Sequence, residues 1–211
     1  MNNSKILLVE GIAGIGKSTI IDLLIRKHIQ EAEQRKIRTF LHLTQAHTYG
    51  PLAPDEDSNS LTRSANLLHL DKITSFLSWM AQSVEKEKIL KFFCIIDTLH
   101  LTHCVRPGIL DWKDVLPTDS LLAKLGTKLI FVKAQPKTIL ERTIELRKDN
   151  QFITHYGKRF GSNLEEIHQY FVGEQLKMAR LFAASGLQKI ELNAEKTAEE
   201  NTDIVYDFWK K

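Results

Sequence analysis

The chain predicts an α/β fold: three layers, with a five-stranded parallel sheet and helices on both faces. Three observations carry this. Lys5-Ile6-Leu7-Leu8-Val9-Glu10 is an apolar run, followed by a glycine-rich turn and then by Ile20, Ile21, Leu23, Leu24 and Ile25 on one helical face. Lys91-Phe92-Phe93-Cys94-Ile95-Ile96-Asp97 is a second continuous apolar run, ending in a carboxylate. Strand-like and helix-like segments alternate along the rest of the chain, the pattern of βα units around a buried parallel sheet.

The turn after the first run is Gly11-Ile12-Ala13-Gly14-Ile15-Gly16-Lys17-Ser18, which fits G-x-x-x-x-G-K-[ST], the phosphate-binding P-loop. Strand, glycine turn and helix are the context the motif requires. Glycines let the backbone close around phosphate oxygens, and the loop N–H groups with the positive end of the helix dipole point at the anion. Lys17 reaches toward the β- and γ-phosphates, the Ser18 hydroxyl suits Mg²⁺, and Thr19 lies near the α-phosphate. Nucleotide binding is therefore expected along Gly11 to Thr19, with ATP and Mg²⁺ as the ligands and a P-loop NTPase fold as the scaffold.

The remaining elements follow in order. Arg38 to Leu43 reads as a second strand, and Thr44 to Arg63 as a long loop with Gly50, Pro51, Pro54 and the acidic polar run Asp55 to Ser60. Leu70, Ile73, Leu77, Met80 and Val84 recur at helical spacing, and Trp79 with Met80 is expected in the core. Lys128 to Val132 is the fourth strand, a helix opens after Pro136, an amphipathic run covers Leu164 to Phe182, and Gln188 to Leu192 is a short fifth strand. Thr197 with Glu200 forms a capping-box pattern before a last helix whose Ile204, Val205, Phe208 and Trp209 face inward.

Composition limits the function. With 211 residues, 43% hydrophobic and 26% charged, the chain suits one soluble domain spanning residues 1–211. A net charge of +3 without a dense Lys/Arg block argues against a nucleic-acid partner. The short apolar run before Glu10 is neither a signal peptide nor a membrane span. Cys94 and Cys104 lack zinc spacing and read as reduced thiols, so a cytoplasmic location is expected.

Several side chains are candidates for chemistry. Asp97, at the carboxyl end of a buried strand, lies where open α/β sheets place ligands, and suits Mg²⁺ or the orientation of an acceptor. Glu10 directly precedes the loop and is either a proton acceptor beside the γ-phosphate or a charge that ends the strand. Arg142, Arg147, Lys148, Lys158 and Arg159 are cations in a candidate lid over residues 142–160; an ordinary solvated helix face is the alternative, and it suits Lys158 and Arg159 better. Arg142 and Arg147 are five apart and diverge by roughly 140° on an ideal helix, so both address one phosphate only if the helix ends or bends between them. His100, His103 and Cys104 mimic a metal group, but polar contacts in the loop beside the substrate site fit them better than zinc. Trp112 follows Pro107 and Gly108 near the same place.

Val9-Glu10-Gly11-Ile12-Ala13-Gly14-Ile15-Gly16-Lys17-Ser18-Thr19 resembles the opening of thymidylate kinases and deoxynucleoside kinases, which share the form E-G-x-x-G-x-G-K-S-T. Leu67 to Lys72 is similar to the thymidylate kinase helix segment ending in Asp-Arg. Ile96-Asp97-Thr98-Leu99-His100 stands where those families carry D-R-Y/H or E-R-S. Leu140 to Arg147 looks like their arginine-bearing lid, and Asn163 to His168 like the helix after it. The resemblance spans nearly the whole chain; only the P-loop is highly specific. It implies the strand order 2-3-1-4-5 and a kinase that moves the γ-phosphoryl of MgATP to a small acceptor, a nucleoside or nucleotide. It also implies Lys17 on the phosphates, Ser18 and Asp97 at Mg²⁺, Glu10 or Asp97 as base, and Arg142 with Arg147 closing over the transferring group. A homodimer is left open.

The departures bear on the acceptor. Ala13 stands where thymidylate kinases usually carry Asp, Thr44-Gln45-Ala46 replaces their R-E-P, Thr98 replaces the Arg after the strand carboxylate, and Lys72 the helix Arg. The lid arginines are one residue further apart than in deoxynucleoside kinases. These losses weaken the case for thymidylate, and Glu10 favours a nucleoside or another neutral hydroxyl compound. Two other readings stand beside this one: a kinase for a different hydroxylated metabolite or an antibiotic, and a nucleotide-binding regulator without transfer. On any reading that uses the loop, Lys17→Ala should abolish nucleotide binding or transfer while leaving the fold intact. Titration of nucleotide with and without Mg²⁺, alongside circular dichroism, checks it; unchanged binding and turnover would sink the P-loop assignment.

Overall fold

The computed structural model describes residues 4–35, 39–48, 63–86, 91–105, 110–147, 161 and 163–210. The strands are β1 (Ser4–Glu10), β2 (Thr39–Leu43), β3 (Phe92–Asp97), β4 (Lys128–Lys133) and β5 (Gln188–Asn193). They form one parallel sheet in the order β2-β3-β1-β4-β5, as expected. The helices are α1 (Lys17–Arg35), α2 (Gln45–Thr48), α3 (Arg63–Lys86), α4 (His100–Val105), α5 (Trp112–Lys124), α6 (Pro136–Ile139), α7 (Leu164–Ala184) and α8 (Ala198–Lys210). None is long and apolar enough to cross a membrane among the described residues. The expected loop residues Gly50 to Ser60, the turn residues Pro107 and Gly108, and Lys148, Lys158 and Arg159 lie outside the described residues, as does the side chain of Arg147.

Strand alternation splits the core into two layers. Leu7 and Val9 of β1, Phe93 and Ile95 of β3, and Ile130 and Val132 of β4 pack under α1 and α8, against Ile20, Ile21, Leu24, Val205 and Trp209. Ile6 and Leu8, Phe92, Cys94 and Ile96, and Leu129 and Phe131 face the other way, onto Leu70, Leu77 and Val84 of α3, Leu101 of α4 and Val115 and Leu122 of α5. Helix α7 serves both layers, with Ile167 and Phe171 in the first and Met178 in the second. Burial of β1, β3 and β4 on both faces is why those strands read as unbroken apolar runs.

Two core assignments are corrected. Trp79 is 61% exposed, and Phe76 beside it is also exposed. Leu70, Thr74, Leu77, Ala81 and Val84 make the buried stripe of α3, and Trp79, two positions past Leu77, lies roughly 200° around the helix from it. Ile204 on α8 is likewise exposed, because Val205 and Trp209 take the inner face. The long loop after β2 begins with α2, and His100 to Cys104 form a helix rather than a loop.

Helix ends are satisfied by side chains. Thr197 and Glu200 make the reciprocal capping box at α8, at 2.9 and 3.1 Å. The carbonyls at its other end accept from Lys128 (Phe208 O, 2.6 Å) and from Lys5 (Trp209 O, 3.3 Å; Lys210 O, 2.7 Å). Cations there complement the negative end of the helix dipole.

A buried polar knot joins α4, α5 and the end of α7. Asp119 Oδ1 contacts His100 Nε2 at 3.0 Å and accepts from Ser185 Oγ at 2.6 Å, while Oδ2 accepts from Gly186 N at 2.9 Å. Burial pushes the Asp119 pKa upward, but these donors outweigh it and the net shift is down. Removing one member strands the others away from water. Asp119→Ala should therefore lower unfolding free energy by about 3 kcal/mol. Urea denaturation measures this, and a loss below about 1 kcal/mol would show that the knot is not a structural tie.

Candidate active site

The site starts from the backbone between β1 and α1. Gly11 has φ 149° and Gly14 has φ 84°, conformations glycine adopts without strain. Close neighbours add a second reason. A Cβ on Gly11 would lie 2.8 Å from Val132 O, and one on Gly14 3.0 Å from Thr143 Cα. Ile12 and Ile15, both buried, anchor the loop in the α1 layer. The Lys17 Nζ donates to Gly11 O and Ile12 O, both at 2.9 Å, and Thr143 Oγ1 donates to Ala13 O at 3.0 Å. Three successive loop carbonyls thus have donors. Ser18 and Thr19 lie exposed in the first turn of α1.

Asp97 ends β3 and pairs in register with Val9, so it stands beside the start of the loop. The chain then turns sharply at Thr98, whose φ of 63° is the one positive value on a non-glycine residue among those described. For a β-branched residue this is an outlier, of the kind that clusters at functional sites. Two hydrogen bonds hold it: Thr98 N to Val9 O at 2.9 Å and Thr98 Oγ1 to Asp97 O at 2.6 Å.

Glu10 is fully buried and turned into the same corner. Its Oε1 accepts from Leu99 N at 2.9 Å and Leu101 N at 3.2 Å, and its Oε2 from Thr102 Oγ1 at 2.6 Å. The carboxylate therefore caps the start of α4, a third use beside the two expected for it. A negative group is favoured there by the helix dipole.

On the other side of Asp97, α2 is fastened by a clasp of histidines. Thr48 Oγ1 donates to Asp97 O at 3.0 Å. The Thr48 carbonyl in turn accepts from His69 Nε2 at 2.9 Å and His103 Nε2 at 3.0 Å. The His103 Nδ1 contacts the Asn66 carboxamide at 2.9 Å, and a neutral ring needs the NH₂ end of that amide there. Burial pushes His103 down from 6.5 to about 4, against the pull of the Thr48 carbonyl. His42, on β2, lies two register positions from Asp97 on the same sheet face. Burial lowers its pKa as well, opposed by Asp97 and Asp22.

The segment after β4 departs from a plain helix. Helix α6 runs into a π turn, Leu140–Ile144, and then a 3₁₀ turn, Glu145–Arg147. Between Arg142 and Arg147 the backbone is thus not an ideal α-helix. Yet the Arg142 guanidinium donates to Ala194 O, just beyond β5, at 2.8 Å. The side chain from this segment on the P-loop is Thr143.

The loop residues Gly11 to Thr19, Glu10 and Asp97 are thus gathered at one end of the sheet. Arg142 is drawn to the turn after β5. His100, His103 and Cys104 share α4, and burial pushes the Cys104 thiol up to about 12. Among the described residues no group of three or more His, Cys, Asp or Glu is placed to hold a metal. No sequence motif marks Thr48, His69, His42 or Thr143. Their roles arise from contacts 21 to 130 residues apart, which no local pattern encodes.

No family model matches the sequence, and no curated protein matches it. Among solved structures, the YorR protein of Bacillus subtilis, determined in complex with phosphorylated GDP, is similar in fold. The TM-score is 0.56 at 13% identity, over 97% of this chain and 95% of that one. At this identity the likeness concerns the fold, and that neighbour binds a nucleotide.

The depressed pKa of His103 makes stability pH-dependent. The folded chain keeps the ring neutral where the unfolded chain takes up a proton, so the unfolded state binds more protons between pH 6.5 and about 4. Stability is complete above pH 6.5, falls as pH drops through that window, and levels off below it, with a contribution on the order of 3 kcal/mol. His103→Gln should flatten the pH dependence of the urea midpoint over that range; an unaltered slope would show that His103 is not its source.

Proposed function

We propose that the protein is an ATP-dependent phosphotransferase acting on a small neutral hydroxyl compound, with a nucleoside as the leading class. The observation that carries this reading is the loop itself: Lys17 Nζ fixed between Gly11 O and Ile12 O at the start of α1, with Asp97 on the adjoining strand end. The fold similarity to a nucleotide-bound protein supports it.

In this reading the loop amides and Lys17 bind the β- and γ-phosphates. Ser18 and Asp97 fit Mg²⁺, which favours oxygen ligands and one or two carboxylates beside the substrate phosphates rather than an all-protein cage. Bound there, Mg²⁺ would offset charge on the phosphates. The acceptor oxygen attacks the γ-phosphorus, the bond to the β-phosphate oxygen breaks, and ADP leaves. The proton of the hydroxyl passes to a carboxylate. Glu10 already accepts three hydrogen bonds at α4, which favours Asp97 as the proton acceptor, with Asp97 then reaching Mg²⁺ through water rather than directly. Arg142, which here donates to Ala194 O, would have to leave that carbonyl to close over the transferring group.

The neutral acceptor rests on Thr98. In the thymidylate kinase resemblance an arginine at this position grips the monophosphate; here the side chain is buried and its hydroxyl is committed to Asp97 O. A panel of nucleosides, nucleoside monophosphates and other hydroxyl compounds, assayed for ADP release, tests the reading. Nucleoside-like acceptors should outperform thymidine monophosphate. Efficient use of thymidine monophosphate, at kcat/KM of about 10⁴ M⁻¹s⁻¹ or more, would refute the neutral-acceptor part. Tight nucleotide binding without transfer to any acceptor would favour a regulator instead.

A further inference from the structure

Thr143 is the residue after Arg142, a plain threonine in a segment read for its arginines. It is fully buried, its hydroxyl donates to Ala13 O at 3.0 Å, and its Cα and Oγ1 stand 3.0 Å from where a Cβ on Gly14 would be. This contact crosses from the segment after β4 to the middle of the P-loop. It depends on an irregular backbone. The N–H of Glu145 is shared between Glu141 O and Leu140 O, four and five residues back. A π turn holds one more residue than an α turn and is frequent at functional sites. Removing that residue would rotate the flanking turns relative to one another by roughly 100°, and would carry Thr143 off the inward side it now occupies relative to α6.

We propose that Thr143 is a positioning residue for the phosphate-binding loop, and that the π turn is the device that seats it there. The proposal rests on the phosphotransferase reading and deepens it. A peptide unit is planar and trans, so its C=O and N–H point in opposite directions. Holding Ala13 O on the Thr143 side therefore aims the Gly14 N–H to the other side, where a bound phosphate would receive it. In this structure Lys17 Nζ holds the two preceding carbonyls, Gly11 O and Ile12 O. The loop is thus gripped from two sources: its own lysine, and a threonine at the root of the segment that carries Arg142 and Arg147. Loop shape and the position of that root are thereby coupled. Glycine at position 14 meets both demands, a positive φ and room for Thr143.

The test is the affinity for ATP with Mg²⁺, read by calorimetry on the full chain. Thr143→Val keeps the shape and removes the hydroxyl; Thr143→Ser keeps the hydroxyl. Thr143→Val should weaken ATP by about tenfold, because an amide-to-phosphate hydrogen bond is mis-aimed. Thr143→Ser should stay within about twofold of the parent chain. Should the valine variant fail to fold, Thr143→Ala gives the same comparison. Unchanged affinity in the hydroxyl-less variant overturns the proposal, even if its melting temperature drops. Equal losses in the serine and valine variants also overturn it, because packing and not the hydroxyl would then be responsible. A parent chain that binds no ATP refutes the phosphotransferase reading itself, an outcome distinct from intact binding in Thr143→Val.

Discussion

A backbone that is to receive an anion must present N–H groups to it, and then its carbonyls need donors on the opposite side. This constraint governs the upper end of the sheet. Buried carbonyls without partners are costly, and a glycine-rich loop has no ladder to satisfy them. Lys17 and Thr143 supply the donors for Gly11, Ile12 and Ala13. Val132 of β4 presses on Gly11, and Thr143 presses on Gly14. The glycines are needed both for their φ values and because strand and turn backbones come too close to admit a side chain. Placing the loop between β3 and β4, on the central strand β1, brings every one of these neighbours within reach.

The two carboxylates at this end have different work. Glu10 closes the corner between β1 and α4, and with Thr98 it fixes the turn that follows Asp97. Asp97 is held through its backbone, where Thr98 and Thr48 both donate to its carbonyl, so its main chain is fixed from two elements. Positions held in sparsely populated backbone conformations persist only when surrounded by such ties. The strained Thr98, the buried Glu10 and the Thr48 clasp together fix the backbone at the end of β3.

The frame of this molecule was legible because its signals are local. Doubly buried strands write continuous apolar runs, the P-loop writes its glycines and lysine, and the capping box at Thr197 and Glu200 writes its own spacing. The parts that escaped depend on tertiary contact. Trp79 follows the apolar composition of α3 but not its phase, and the buried stripe through Leu77 leaves it outside. The spacing of Arg142 and Arg147 drew attention to a departure from an ideal helix, and a π turn lies there; that Thr143 would be the residue it brings to the loop depends on Ala13, far away in sequence. Glu10 was ambiguous because its partners, Leu99, Leu101 and Thr102, become neighbours only once β3 lies beside β1.

The corner around Asp97 gathers imidazoles, from His42 on β2, His69 on α3 and His103 on α4, and their behaviour differs from that of a guanidinium group. An arginine keeps its charge at any pH relevant here. Burial lowers the pKa of His42 and His103, so these rings favour the neutral form and act as directional hydrogen-bonding groups. His69 and His103 both direct a nitrogen to the Thr48 carbonyl, so their polar capacity is used to fix α2 against β3.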